Sequence, residues 1–134
     1  MATVVVNAGR DIITNRIKGS GTEPLNIGWG TGTQTTALVT DTGLGPTTVE
    51  KLVDLSTSAG TDHTLGTSTR VTTTITNDTY QVVGTRTATG AGSVTVAGLF
   101  DAASGGNLFV KGDFAAINLV SGDSIAFTFK VVYS

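Results

Sequence analysis

His63 is the single histidine of the chain, and Asp62 lies beside it in a stretch rich in Ser, Thr and Gly. An imidazole held by a carboxylate next to a hydroxyl is the arrangement of acyl-transfer triads, in which the ring takes the nucleophile's proton. The chain contains no Gly-x-Ser-x-Gly elbow to present such a nucleophile, so His63 reads as an exposed loop residue. One His and no Cys do not supply the donors of a typical zinc site, and the lack of Cys excludes a disulfide framework and thiol catalysis. The Asp residues are spread over the whole chain with neither EF-hand spacing nor a tight cluster. Glu23 and Glu50 are the only glutamates, which argues against a paired-carboxylate glycosidase. The expectation is therefore no catalytic residue, no metal and no cofactor.

Gly28-Trp29-Gly30-Thr31-Gly32 bears only a superficial resemblance to a phosphate-cradling loop. That chemistry needs glycines between a strand and a helix N-terminus, followed by Lys-Ser/Thr or a distal acid. Here Thr33-Gln34-Thr35-Thr36 follow, and the reading is a loop whose glycines free the backbone while Trp29 anchors it. Asn77-Asp78-Thr79 matches a glycosylation acceptor but reads as a hairpin turn. Asp113 and Asp123 are expected at turns, with carboxylates bonded to backbone amides. Arg10, Arg16 and Lys18 are either a patch for an acidic surface or a solvated face. Arg70 and Arg86 are candidates to pair with carboxylates of a neighbour.

What must position these residues follows from composition. Only 13% of the 134 residues are charged, with eight Lys+Arg against ten Asp+Glu, while Gly alone accounts for 18. Thr and Ser therefore supply most of the polar surface. A formal net charge of −2 argues against a phosphate-tracking nucleic-acid binder. No apolar run approaches the roughly twenty residues of a membrane helix. The start, Met1 to Asn7, lacks the cationic and long apolar regions of a secretory signal. Weak charge repulsion and a mean hydropathy of +0.20 favour a surface partly covered by copies of the chain or by a partner.

Abundant Val and Thr point to strands. Ile125, Phe127, Phe129, Val131 and Tyr133 alternate with Ala126, Thr128, Lys130 and Val132, a period of two with one face in a core. Phe114, Ile117 and Leu119 mark a partner strand, so Phe114 to Val132 reads as a hairpin. Ser68–Thr76 against Thr79–Thr89 reads as another, turning at Asn77-Asp78. Ser93 to Leu99 is a strand with Val94 and Val96 on one face. Thr3–Val6 and Ile12–Lys18 are further strands. Thr47 to Leu55 reads as a helix or a strand, and the strand reading is preferred. Gly19 to Thr36 and Leu55 to Thr69 read as long irregular loops. Seven or eight strands joined by Gly-rich turns predict an all-β, single-domain antiparallel sandwich of jelly-roll or Greek-key type, with an N-terminal arm over residues 1–10.

Two segments carry a resemblance. One runs Asn26-Ile27-Gly28-Trp29-Gly30-Thr31-Gly32 into Thr40-Asp41-Thr42-Gly43-Leu44 and Glu50. The other runs from Ala97 through Gly105-Gly106-Asn107-Leu108-Phe109, then Phe114, Ile117, Leu119, Gly122-Asp123 and the final strand. Together they resemble virion structural proteins of tailed bacteriophages, most of all head decoration or cement proteins. The resemblance implies a β-sandwich that forms a homo-oligomer, a trimer, on the outer capsid surface and braces the major capsid protein. It implies no catalytic or metal residue, no nucleic acid and no membrane. The alternative it leaves is a phage tail- or fibre-associated structural or receptor-binding protein, for which Trp29 and Tyr80 are the obvious aromatics. Candidate contact residues are Val4, Val5, Val6, Arg10, Arg16 and Trp29. The run Val4-Val5-Val6 either meets a partner or forms the first strand of its own sheet.

Overall fold

The computed structural model describes residues 2–31, 36–44 and 63–133. In chain order these form β1 (Thr3–Val5), α1 (Asn7–Lys18), β2 (Asn26–Thr31), β3 (Thr64–Leu65), β4 (Thr67–Val71), β5 (Thr79–Thr87), β6 (Gly92–Phe100), β7 (Leu108–Leu119) and β8 (Ser124–Val132). The pairings are antiparallel, in a five-stranded sheet of order β1-β7-β6-β2-β3 and a three-stranded sheet of order β4-β5-β8. Ile27, Trp29, Ala97, Leu99 and Val110 of the first sheet close on Val82 and Phe127 of the second, the expected all-β sandwich with one helix added. Residues at alternate positions of the five-stranded sheet, Val96, Phe100 and Leu108, join Val6 and Leu44 in a second buried cluster. The central strands β2 and β6 are thus buried on both faces.

The N-terminal segment is part of this sheet. Thr3, Val4 and Val5 pair with Gly112, Lys111 and Val110, so the run is the first strand of its own sheet. Ile12–Lys18, expected as a strand, is instead the second half of α1. Gly9, Ile12 and Ile13 form its inward stripe at helical spacing. Gly9 is essential to that contact, because a Cβ there would stand only 2.2 Å from the Phe109 carbonyl oxygen. Gly19 ends the helix in the left-handed conformation, φ 91°, with its N–H on the Arg16 carbonyl and the Ser20 N–H on that of Asn15.

Three further expectations are corrected. The Gly19–Thr36 stretch contains β2, an inner strand. Its Ile27 and Trp29 face the core while Gly28 and Gly30 occupy the other side, where a Cβ on Gly30 would come within 2.7 Å of Val96. Val94 and Val96 do not share a face, since a register shift between them sends one into each buried cluster. Phe114 to Val132 is not a hairpin: β7 pairs with β6 and β1, whereas β8 pairs with β5 across the sandwich. The connection is an arch fastened to the end of β5, with Gly122 N–H on the Ala88 carbonyl and Ala88 N–H on that of Asp123. The β4–β5 hairpin and the β6 strand agree with expectation within a few residues. Thr47 to Leu55 lies outside the described residues, as do Asp62 and part of the loop around it.

Candidate functional site

Asp41, Asp78, Asp101, Asp113 and Asp123 act on the backbone. Asp113, expected at a turn, is buried in the middle of β7 and accepts N–H bonds from Ala2 (3.2 Å) and Ala37 (2.7 Å). Two residues earlier on the same strand, Lys111 is 2% exposed and its ammonium lies 2.9 Å from Asp41, which also accepts the Leu38 N–H at 2.9 Å. Burial pushes the Asp41 carboxyl up, but the Leu38 N–H and the Lys111 ammonium outweigh it and hold the group below the usual carboxylate range. Segment 36–44 is therefore strapped across the outer face of the five-stranded sheet. The strap also accepts the Asn7 N–H at Val39, and it drops Leu44 into the second cluster. Asp123 takes the Val120 N–H, and Asp101 takes the backbone and side-chain N–H groups of Asn107.

Asp78 is the most heavily engaged. Its carboxylate accepts N–H bonds from Ile75, Thr73 and Thr74 and the Thr79 hydroxyl, all at 2.8 Å, which closes the β4–β5 connection around Asn77 at φ 60°. The Ile75 and Thr73 N–H groups, then the Thr74 N–H and the Thr79 hydroxyl, favour the ionised form and hold the carboxyl far below the usual carboxylate range, against a smaller opposing effect of burial. A carboxyl lowered on folding stabilises the fold above its unfolded value of about 3.9, and that stability drains away as pH falls below it. Asp78→Asn, which keeps one acceptor oxygen and adds a donor, is expected to lower the melting temperature at pH 7. The gap to the parent should narrow as pH falls from about 5 toward 2. Melting curves that stay equally separated over that range would show that the ionised carboxylate is not what holds the turn.

His63 stacks on Phe100 with ring centroids 4.0 Å apart, its Nδ1 is 2.7 Å from the Ala102 carbonyl, and its own N–H reaches Ala103. It is a packed connector between β3 and the β6–β7 loop. Arg86, expected to meet a neighbour's carboxylate, lies over the Trp29 ring at 5.2 Å and donates to the Ile27 carbonyl and the Thr64 hydroxyl. Among the described residues no group of three or more His, Asp or Glu is placed to hold a metal ion. No helix among them is long and apolar enough to cross a membrane.

The candidate contact residues divide. Trp29, 1% exposed, and Val6 are core side chains of this chain; Val4 and Val5 are half-buried in β1; Arg10 and Arg16 are exposed on α1. Trp29 and Tyr80 do not line a common groove. Tyr80 belongs instead to an open groove of ≈ 450 Å³ between α1 and the three-stranded sheet, with Ile13, Ile17 and Phe109 as apolar lining and Arg16 and Arg70 among its polar residues. The Tyr80 hydroxyl bonds Glu23 (3.2 Å) and the Pro24 carbonyl (3.1 Å), and burial, with the Glu23 carboxylate second, pushes the phenol well above its ordinary value. Ile17 is 83% exposed, and Leu65, Ile75 and Val120 are also largely exposed. Neither the groove nor these apolar positions carried a signal in the sequence, since Ile17 lies in a segment expected as a strand.

This architecture defines an all-β two-sheet sandwich whose carboxylates fasten loops. Comparison with known protein families, curated proteins and solved structures finds no match for the chain.

Proposed function

We propose that the protein is a structural subunit of a tailed-phage virion, a head decoration protein that binds the outer surface of the mature capsid and braces neighbouring copies of the major capsid protein. The observation that supports this reading is the division of labour among side chains. Asp41, Asp78, Asp101, Asp113 and Asp123 tie down backbone, while the surface offers hydroxyls and large apolar residues such as Ile17, Leu65 and Ile75. Such a surface works through area and shape, and it has few charges to repel a second protein. In this role the mechanism is linkage. A subunit that binds only the expanded lattice stabilises that lattice by its binding free energy. A homo-oligomer, a trimer in this reading, adds avidity because its second and third contacts form at high effective concentration.

The test is co-sedimentation of the purified protein with expanded shells lacking decoration and with unexpanded shells. Saturable binding to the expanded shells, with a raised dissociation temperature of the particle, is the expected result. Equal recovery with both shells, or with neither, rejects the reading.

A further inference from the structure

β8 is the outer strand of the three-stranded sheet and pairs along its whole length with β5, from Thr79↔Val132 to Thr87↔Ser124. It has no second strand partner among the described residues. Its far side therefore presents main-chain N–H and C=O groups along nine residues. The five-stranded sheet ends differently, in β1 and β3 of three and two residues, lengths that resist adventitious pairing. Among the described residues β8 has none of the usual defences except one charge, Lys130. It contains no proline, and its register with β5 runs without a bulge.

The geometry points to a two-fold interface in which β8 pairs antiparallel with β8 of a second copy, centred on Thr128, to join two three-stranded sheets into one of six strands. Of the possible two-fold registers this one pairs the whole strand, Ser124 to Val132. Ile125 then lies opposite Val131 and Phe127 opposite Phe129, which extends the core-facing side with apolar and aromatic rungs. On the outer side Ala126 lies opposite Lys130 and Ser124 opposite Val132, so each ammonium meets a methyl group. Centring the pair on Lys130 sets two like charges directly opposite each other, which is unfavourable. Centring it on Ala126 leaves a ladder of only five positions. Thr128 is the centre that uses all nine residues. This contact goes beyond the capsid reading and stands whether or not the protein binds shells. A trimer built through other surfaces would be linked to its neighbours by it.

The chain has no cysteine, so one introduced thiol reports cleanly. Thr128 and Thr85 are both exposed on the outer face of this sheet, but only Thr128 sits on the two-fold axis. Under mild oxidation Thr128→Cys should give a covalent pair at twice the chain mass, at a concentration where Thr85→Cys remains single. In sedimentation, Thr128→Lys should move the native protein several-fold toward the unpaired form. Ala126→Glu, which puts a carboxylate opposite each Lys130, should move it the other way. Circular dichroism checks that each variant is folded. A folded Thr128→Cys that cross-links no better than Thr85→Cys overturns the proposal. So does a native mass that ignores both charge changes, or a single chain whose β8 amides are already protected from exchange by another strand.

Discussion

Replacing Phe127 with Ala should lower the unfolding free energy by about 3–5 kcal/mol, the range for deleting an aromatic side chain from a core. Phe127 is the buried member of the inward row of β8. Its ring meets Trp29 edge-on at 6.4 Å, across the sandwich, and stacks with Phe129 at 6.0 Å. Removing it therefore opens a void between the two sheets and ends an aromatic contact worth more than its area. Trp29 is the only tryptophan, so its emission should shift to the red in the same variant, an optical report from the facing sheet. Thr128→Ala, one residue along and pointing outward, should change stability by no more than about 0.5 kcal/mol. Denaturant unfolding monitored at Trp29 separates the two. A loss below about 1 kcal/mol for Phe127→Ala would mean that the void refills, or that β8 does not carry the join between the sheets.

That row was readable from the residues because each obeys one rule at a time. Large apolar side chains alternate with small or polar ones from Ile125 to Val131, and one face is wet. The β4–β5 hairpin was readable for the same reason, with Asn77-Asp78 as punctuation. Elements with two competing demands were not. β2 is buried on both faces, and one of them is filled by the strap and by Val96, so glycines take the places where an alternation would show large residues. α1 lacks a start signal, because Val6 makes no side-chain cap and the contact with Phe109 requires Gly9 where a pattern search looks for a bulky residue. Its stop signal, Gly19 after Arg16 and Lys18, was present and was outweighed by β-branched residues at Ile12, Ile13, Thr14 and Ile17. The arch between β7 and β8 leaves no local mark, because Gly122 and Asp123 suit a hairpin equally well. Which sheet a strand joins depends on contacts far away in sequence, here the ladder to β5. Likewise nothing local told Asp113 from a turn aspartate, since its partners are Ala2 and Ala37.

Those long-range polar ties suggest the least symmetrical outcome of mutation. Asp41→Ala should destabilise the protein by about 2–4 kcal/mol, because it leaves the Lys111 ammonium buried in β7 without the carboxylate that compensates it. Lys111→Met should cost less than about 1 kcal/mol. The methionine keeps the length and apolar body of the lysine stem under the strap, and the stranded Asp41, 23% exposed, can turn to water. The double variant should then be more stable than Asp41→Ala alone, a positive coupling that a mutant cycle measures directly. Amide exchange adds location to magnitude. In Asp41→Ala the N–H groups of Leu38 and Ala37 should lose protection first, because Asp41 accepts one of them and the strap it anchors carries the other to Asp113. If both single variants cost the same and the double variant costs their sum, the ion pair does not fasten the strap. The outer face of the sheet would then be closed by Leu44 and its apolar neighbours alone.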